Sequence, residues 1–423
     1  MNHWKIFNQQ PIVKILSNGM EVHYLVEPTH VTYIELDIGF GSYHLTYQKD
    51  HKYHQTIPGI AHFLEHKIFA MEEGDAFKKL SALGVSANAM TTYRQTSYTL
   101  SGVIGIMDAL KYLIKVIDTP YFTEENIESE KKIIIEEIQM YENDPDTKIY
   151  QDLYKNMLHQ HPLLHDIAGS KENVASITKE HLLQIYRDFY HPKNRRLLIL
   201  GPIEVESFHQ ELDSYVSTLP LWNHHQIDIP AIQEPVSLIK QMDTNLYPIS
   251  RPKLVIGVKY QVDSSAEKLL VKNEISSLFL FQMMIGNNSL LSEKLINDAL
   301  INDQFNMQIT MEDETLIMTL DNHTDDTMKL AEIFTNYYFN HGDEFITEEA
   351  FDLLKRAYLG SYIMALDDVE NRLFLYGKYQ MNQLSLEEAI DTLNQLTLSD
   401  IWDLYRKIKH ENISILHAIP ISD

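Results

Sequence analysis

The chain has 423 residues, of which 44% are hydrophobic and 22% charged, with a formal net charge of −25 and no cysteine. At about 150 residues per domain this length predicts two or three domains, and the composition is that of a globular protein. The lack of cysteine excludes disulfides, thiolate metal sites and cysteine nucleophiles, and the negative charge argues against nucleic acid as a partner because phosphates would be repelled.

The N-terminal segment has neither the apolar stretch of a signal peptide nor the Arg/Ser-rich pattern of a transit peptide. No window approaches 18 uninterrupted apolar residues, so no membrane span is predicted. We therefore expect a cytoplasmic protein, and the acidic charge favours cationic partners over anionic ones.

The first half is predicted to begin with strands. Val13–Leu16 and Met20–Val26 flank Ser17-Asn18-Gly19, a hairpin signature because Asn-Gly readily adopts positive φ angles. The other strands predicted in this half are Thr32–Phe40, Ser86–Ser101 and Arg196–Leu200. The predicted helices are Ile60–Met71, Asp75–Leu83, Ile106–Asp118, Glu124–Glu142, Thr147–His159 and Lys179–Tyr190.

The pattern restarts after residues 219–236, a stretch that contains three prolines and the pair His224-His225. The strands predicted after it are Lys253–Val262, Phe305–Glu312 and Thr315–Asp321. The helices predicted after it are Lys268–Ile285, Ser292–Asn297, Asp325–Asn340, Glu348–Met364 and the tail. Strands followed by helices, twice, predict an α+β protein with domains at 1–218 and 237–423, joined by a linker at 219–236.

One predicted helix carries His62-Phe63-Leu64-Glu65-His66. His62 and His66 stand at i and i+4 and project from one face, where two imidazoles can reach one zinc ion, with Glu65 on the flank of that face. This H-x-x-E-H order is that of the inverzincins. Chance gives roughly 0.1 such matches in a chain of this composition. The alternative is a helix that carries two histidines for other reasons.

A catalytic zinc needs a third protein ligand and an open position. In the predicted helix Glu124–Glu142, the candidates are Glu130, Glu136 and Glu137. Glu130 and Glu137 are two turns apart and share a face with isoleucines, where a glutamate is unexpected unless it is paired or bound to a metal. The alternative is a solvated surface, because this helix contains several other glutamates.

These segments together resemble the pitrilysin/insulinase family of zinc peptidases, which includes the mitochondrial processing peptidase, and within it the short YmfH-like type of Gram-positive bacteria. Pro58–His66 is similar to the family's signature, Ser129–Ile138 to its downstream glutamate helix, and Gly84–Ala89 to its active-site edge strand. Asp166–Ser170 and Tyr190–Pro192 continue the resemblance, which is strong over residues 12–203 and faint afterwards.

The resemblance implies that His62, His66 and Glu137 bind Zn²⁺, that Glu65 is the general base, and that Glu130 orients a zinc-binding histidine. Substrate would bind as an added strand at Ala87, Asn88 and Ala89. The implied fold is a pair of homologous α/β-sandwich domains, each an antiparallel-rich sheet packed on helices. Only the first would bind zinc. Four such domains would enclose a chamber that admits peptides and excludes folded proteins.

The family's second half carries an arginine and, seven residues later, a tyrosine that contact substrate. Asn288–Phe305, the corresponding stretch, contains neither, and Ile296 stands where the arginine is expected. A homodimer would lack these contacts, so the resemblance implies a heterodimer in which a homologous chain supplies the pair. Lys67 and Tyr93 are further candidates for substrate contact, and nothing in the sequence decides whether either makes it.

The leading hypothesis is therefore a zinc endopeptidase acting on short peptides. A catalytically silent assembly or peptide-binding subunit on the same fold is the second hypothesis, and a metallohydrolase acting on other substrates is the third. The complete set of His62, Glu65, His66 and Glu137 argues against a silent subunit. The predicted edge strand argues against substrates other than peptides.

Overall fold

The computed structural model describes residues 6–7, 9–223, 226–262, 267–381 and 383–421. The chain forms two compact units. Unit 1 comprises residues up to 141 together with 165–230, and unit 2 comprises 142–164 together with the chain from 231 onward. The pair His224-His225 of the predicted linker lies outside the described residues. No helix within the described ranges is long and apolar enough to cross a membrane.

The strands are, in chain order, β1 (Ile12–Ile15), β2 (Glu21–Val26), β3 (Thr32–Ile38), β4 (Thr46–Lys49), β5 (Lys52–Gln55), β6 (Ala70–Met71), β7 (Gly74–Asp75), β8 (Val85–Thr91), β9 (Thr96–Gly102), β10 (Arg195–Gly201), β11 (Ile227–Asp228), β12 (Met242–Tyr247), β13 (Lys253–Gln261), β14 (Asn306–Glu312), β15 (Thr315–His323) and β16 (Ile413–Pro420).

The α-helices are α1 (Ile60–Ile68), α2 (Ala76–Ala82), α3 (Ile106–Asp118), α4 (Glu124–Glu142), α5 (Pro145–Met157), α6 (Lys171–Ser176), α7 (Lys179–Phe189), α8 (Val205–Val216), α9 (Glu267–Ile285), α10 (Leu290–Asn297), α11 (Thr327–Asn340), α12 (Gly342–Phe345), α13 (Glu348–Asp367), α14 (Val369–Met381), α15 (Leu386–Gln395) and α16 (Leu398–Lys407). Single 3₁₀ turns lie at Pro162–Leu164, Pro192–Asn194 and His410–Asn412.

Unit 1 is built on a mixed, mainly antiparallel sheet with the strand order β1-β2-β10-β3-β9-β8. The parallel pair is β2 and β10, and every other neighbouring pair is antiparallel. The predicted hairpin is present, with Val13 opposite His23. Helices cover the face of this sheet on which Ile34, Leu36 and Ile38 of β3 are buried, and β8 forms its free edge.

Unit 2 repeats this plan on a five-stranded sheet with the order β12-β16-β13-β15-β14. Its first and last strands, β12 and β16, are again the parallel pair. If β1 is set aside, both sheets place their strands in the order first, last, second, fourth, third along the chain. This shared topology agrees with the expected α+β fold of two homologous α/β-sandwich domains.

Three expectations about elements were wrong, and one hairpin was not predicted. Ser86–Ser101 is the hairpin β8–β9, because the backbone turns at 92–95, where the Thr92 N–H donates to the Gln95 carbonyl (2.8 Å). The helix Ile60–Met71 ends at Ile68 because Ala70–Met71 pairs with Gly74–Asp75. No element was predicted between Phe40 and Ile60, where the structure has the hairpin β4–β5. The tail ends in a strand, since β16 is buried between β12 and β13.

Helix α5 belongs to a different part of the fold from the one that the sequence suggests. The predicted division at 1–218 places α5 in the first domain, whereas the structure groups residues 142–164 with unit 2. There α5 packs on β13 and β16. Asp146 pairs with Lys253 at 2.9 Å, and the Lys259 ammonium donates to the carbonyl of Met157 at 2.5 Å.

The carboxyl groups of Glu35 and Asp37 are buried side by side on the face of the unit 1 sheet opposite to Ile34, Leu36 and Ile38. Asp37 accepts hydrogen bonds from Ser97 Oγ (2.7 Å) and from the Arg196 guanidinium (2.7 Å), so its negative charge is compensated. Burial and the neighbouring charge of Asp37 raise the pKa of Glu35 to about 9. Glu35 is therefore a neutral acid at pH 7 in the folded protein.

Glu35→Gln should raise the unfolding temperature at pH 8 and change it little at pH 4. Above its ordinary pKa, Glu35 ionises in the unfolded chain but stays protonated in the folded one. The free energy of unfolding therefore falls by up to about 1.4 kcal/mol for each unit that the pH rises, until the pH reaches the pKa of Glu35 in the folded protein. The neutral amide avoids this loss. Thermal unfolding of both proteins at the two pH values checks the expectation, and an equal shift at both would contradict it.

Candidate metal centre

Helix α1 has one buried face and one partly accessible face, and the accessible face carries three polar side chains. Its buried residues are Ile60, Ala61, Phe63, Leu64, Lys67 and Ile68. Most of them belong to the core of unit 1. His62, Glu65 and His66 are left together on the opposite face, where their side chains are partly accessible. The helical period therefore places the motif at the surface of a well-packed helix.

The start of α1 is fixed by a neighbouring loop. Gly59 precedes the helix with φ of 91°, a conformation that favours glycine. A Cβ atom at this position would lie 2.3 Å from the carbonyl oxygen of Ala168. The segment Asp166–Ser170, which the sequence associates with the same family, thus packs directly against the N-terminus of the helix that carries the histidines.

Helix α4 brings glutamates to the same place. Its buried residues Ile127, Ile134 and Ile138 anchor it to the core of unit 1. Glu130 and Glu137 lie beside this buried stripe, with 14% and 26% of their side chains exposed. The helix is therefore not a purely solvated acidic surface at these two positions.

The predicted ligands converge on one point. Glu137 Oε2 lies 3.8 Å from His62 Nε2 and 3.7 Å from His66 Nε2. One ligand atom from each of these three residues falls within 4.8 Å of the others, and no second group of three such residues occurs in the described part of the chain. Glu136, the other candidate of this helix, does not belong to the group and is exposed.

This donor set fits zinc. Two imidazole nitrogens and a carboxylate oxygen are the ligands of known catalytic zinc sites, which leave one position open. With bonds of about 2.0–2.1 Å, ligand atoms of a tetrahedral ion are about 3.3–3.5 Å apart. The separations of 3.8 and 3.7 Å between Glu137 Oε2 and the two histidine nitrogens need only a small contraction to reach this value. His62 would enter such a site as a neutral ligand, because burial, assisted by the nearby His66, lowers its pKa to about 4.

Known proteins with similar sequences share the zinc-binding pattern's family. The model of the insulinase family, peptidase family M16, matches residues 24–171. A Bacillus subtilis protein named as the uncharacterized zinc protease YmfH is 30% identical over 413 residues, which cover 96% of this chain and 96% of that protein. The chain belongs to the insulinase family. Zinc is the cofactor of this family.

A solved structure and a eukaryotic relative extend the comparison. An M16-like peptidase from Alicyclobacillus acidocaldarius matches with a TM-score of 0.91 at 27% identity, covering 97% of this chain and 98% of that chain. The Schizosaccharomyces pombe protein named as mitochondrial-processing peptidase subunit beta is 28% identical over 166 residues, 38% of this chain and 36% of that protein. The expected family relationship and the pitrilysin-type fold are thereby confirmed.

Glu130 contacts the ring nitrogen of His66 that points away from Glu137. Its Oε1 lies 3.1 Å from His66 Nδ1, so Nδ1 donates to the carboxylate while Nε2 faces Glu137. Burial lowers the pKa of His66, but the hydrogen bond and charge of Glu130, with the charges of Glu65 and Glu137, outweigh it and raise this pKa overall. Such a partner fixes the tautomer of a ligating histidine.

Lys67 is a contributor that sequence reasoning missed. It was a candidate for substrate contact, but its side chain is only 1% exposed and its ammonium lies 3.9 Å from Glu130 Oε2. It therefore faces away from any substrate and helps to hold Glu130 as an anion. A lysine in the buried stripe of an amphipathic helix is a signal that the sequence offers, since such a residue needs a carboxylate partner.

Glu65 stands beside the metal-binding group and outside it. Its Oε2 accepts a hydrogen bond of 2.6 Å from Thr91 Oγ1, at the end of the edge strand β8. Burial raises the pKa of Glu65, and hydrogen bonding from Thr91 opposes this rise only in part. A carboxylate of raised basicity, free of the metal-binding group, has the properties of a general base.

The predicted substrate strand lies at a free sheet edge. Ala87, Asn88 and Ala89 belong to β8, the outermost strand of the unit 1 sheet, with Asn88 exposed and the two alanines half-buried. The backbone N–H of Ala89 donates to the Asn88 side chain at 3.0 Å. Small side chains and an unpaired edge suit the addition of an extended peptide.

Unit 2 carries no comparable group in its described residues. Helix α9 occupies the topological place of α1, between the second and third strands of its sheet, and its sequence contains no histidine. In the stretch Asn288–Phe305, Ile296 lies near the end of α10 and is 44% exposed. An apolar side chain is therefore presented where the family resemblance leads one to expect an arginine.

Proposed function

We propose that this insulinase-family protein is a zinc-dependent endopeptidase that cleaves short or unstructured peptides. The observation that carries the proposal is the convergence of His62, His66 and Glu137, with Glu65 beside them and held outside the group by Thr91. A silent subunit has no chemical need for all four side chains. The cytoplasmic location expected from the sequence stays a prediction.

In this proposal His62, His66 and Glu137 hold the metal, and Glu130 orients His66. Zinc in such a site supplies a Lewis acid that polarises a carbonyl and lowers the pKa of water. Glu65 accepts the proton of the attacking water and delivers it to the leaving amine, which is the work of one general base and acid. Its raised pKa favours the first of these transfers, the uptake of the proton from water.

We further propose that the peptide adds as a strand along Ala87, Asn88 and Ala89. Backbone hydrogen bonds would then set its register without selecting particular side chains, which suits a peptidase of broad specificity. To bind there, a peptide carbonyl would replace the Asn88 side chain as acceptor for the Ala89 N–H. The edge strand and the base are joined by Thr91, so that the bound peptide would lie near Glu65.

The working form that we propose is a heterodimer with a closed chamber. Unit 1 has a complete set of zinc-binding side chains, whereas Asn288–Phe305 of unit 2 has neither the arginine nor the tyrosine that the resemblance implies. A homologous subunit would supply this pair, and the enclosed chamber would restrict substrates to peptides. A homodimer is the alternative assembly.

Zinc analysis tests the proposal first. The wild-type protein should bind one zinc per chain, and His62→Ala or Glu137→Gln should lose it, because a site of two ligands binds far more weakly. Glu130→Gln keeps all three ligands and should weaken zinc affinity or activity by about 10–100-fold. Elemental analysis measures the zinc content per chain, and a competitive chelator titration measures the zinc affinity.

Glu136→Gln is the matched control, since it removes one exposed carboxylate next to Glu137. It should retain one zinc per chain. Undiminished zinc in the His62 or Glu137 variant would refute the assignment of the metal-binding residues. One zinc per chain without peptide hydrolysis, alone or with any homologous partner, would favour the silent subunit instead.

A further inference from the structure

A short side-chain hydrogen bond joins the end of the edge strand β8 to the helix α1. Thr91 Oγ1 donates to Glu65 Oε2 at 2.6 Å, and Thr91 is 8% exposed. Among the described residues, Thr91 is the one whose side chain forms a hydrogen bond with the side chain of Glu65. The threonine hydroxyl thus engages one oxygen of the Glu65 carboxylate, Oε2.

Thr91 is itself held by backbone contacts on both sides. It pairs with Thr96 of β9, and the next residue, Thr92, accepts a hydrogen bond from the Ser42 N–H at 3.1 Å. Gly41 packs against this turn so closely that a Cβ atom there would lie 2.5 Å from the Thr92 carbonyl oxygen. The hydroxyl of Thr91 is therefore presented to Glu65 from a fixed strand end.

We propose that Thr91 is a positioning residue that aims the Glu65 carboxylate at the reacting centre and couples it to the strand that binds the peptide. This inference rests on the proposed function of Glu65 and Ala87–Ala89. A glutamate side chain has three rotatable bonds, and its burial alone does not select one orientation of the carboxylate. A short, charge-assisted hydrogen bond from a rigid strand does.

This hydrogen bond would determine how the bound peptide and Glu65 are placed relative to each other. A peptide added to β8 takes its position from the backbone of that strand, and Glu65 takes its position from the last residue of the same strand. The peptide and Glu65 are therefore both positioned by the same strand, β8. Misplacement of a reacting group by about 1 Å can cost about 10²-fold in rate.

The test compares Thr91→Val, which keeps the shape and removes the hydroxyl, with Thr91→Ser, which keeps the hydroxyl. We expect Thr91→Val to lower kcat by about 10²-fold with KM little changed. Thr91→Ser should retain most of the activity. Both should bind one zinc per chain and unfold near the wild-type temperature. Thr91→Ala is the second variant if the valine protein does not fold.

Crystal structures of the metal-free proteins provide a readout that needs no activity. Glu65 should be displaced or disordered in Thr91→Val and in its wild-type position in Thr91→Ser. A kcat near wild type in Thr91→Val, an unmoved Glu65, or a loss in Thr91→Ser as large as in Thr91→Val would overturn the inference. A wild-type protein that binds zinc but cleaves no peptide would overturn the proposed function instead, and the crystal structures would still test the positioning of Glu65.

Discussion

Replacing Glu65 with glutamine should leave zinc binding and the fold intact and lower peptide hydrolysis by about 10²–10⁴-fold. The amide is nearly the same size as the carboxylate and can still accept the hydrogen bond from Thr91. It has no basic oxygen that can take a proton from water. Because the ligand set His62, His66 and Glu137 is untouched, the loss should appear in kcat and not in KM.

The measurement is steady-state cleavage of a quenched fluorescent peptide by protein of known zinc content. Glu136→Gln serves here as well, because it makes the same chemical change on the exposed side of α4. Turnover near the wild-type value in Glu65→Gln would place the general base elsewhere. Glu130 would be the next candidate, although its carboxylate already contacts His66 and Lys67.

Much of this site could be predicted because it follows from helical geometry. His62 and His66 are one turn apart, and Glu130 and Glu137 are two turns apart, so a correct helix assignment places each pair on one face. The bounds Glu124–Glu142 were predicted correctly for α4. The meeting of α1 with α4 is a tertiary contact, and only the family resemblance selected Glu137 from the three candidate glutamates.

Other parts of the site depend on contacts that the sequence does not display. Thr91 lies in a stretch that reads as one long strand, and its role appears only once the chain is seen to turn at 92–95 and return as β9. The sequence suggests Lys67 as a candidate for substrate contact, whereas its side chain is buried against Glu130. Its burial follows from the face of α1 on which it stands.

The fold outside the site shows the same limit. Helix α5 was predicted at nearly correct bounds, yet its place in unit 2 is set by packing on β13 and β16 and by ion pairs such as Asp146–Lys253. These partners are more than a hundred residues away in the chain. Local periodicity identifies such a helix but carries no information on which sheet it covers.

The second unit raises the question of what completes the site. Its sheet has the same topology as that of unit 1, so the duplicated architecture is intact. The chain has no arginine between Arg251 and Arg356, and the exposed Ile296 cannot donate hydrogen bonds to a peptide backbone. If the family's substrate contacts are needed for turnover, another chain must supply them.

The isolated protein should therefore bind zinc yet cleave peptides slowly or not at all. Adding a homologous partner that carries the arginine and tyrosine should raise turnover by about 10²-fold, since these contacts position the peptide backbone for attack. Changing the partner's arginine to alanine should remove the gain without releasing zinc from His62, His66 and Glu137. Full activity of this protein alone, unaffected by any partner, would contradict the heterodimer and assign the missing contacts to other residues of its own second half.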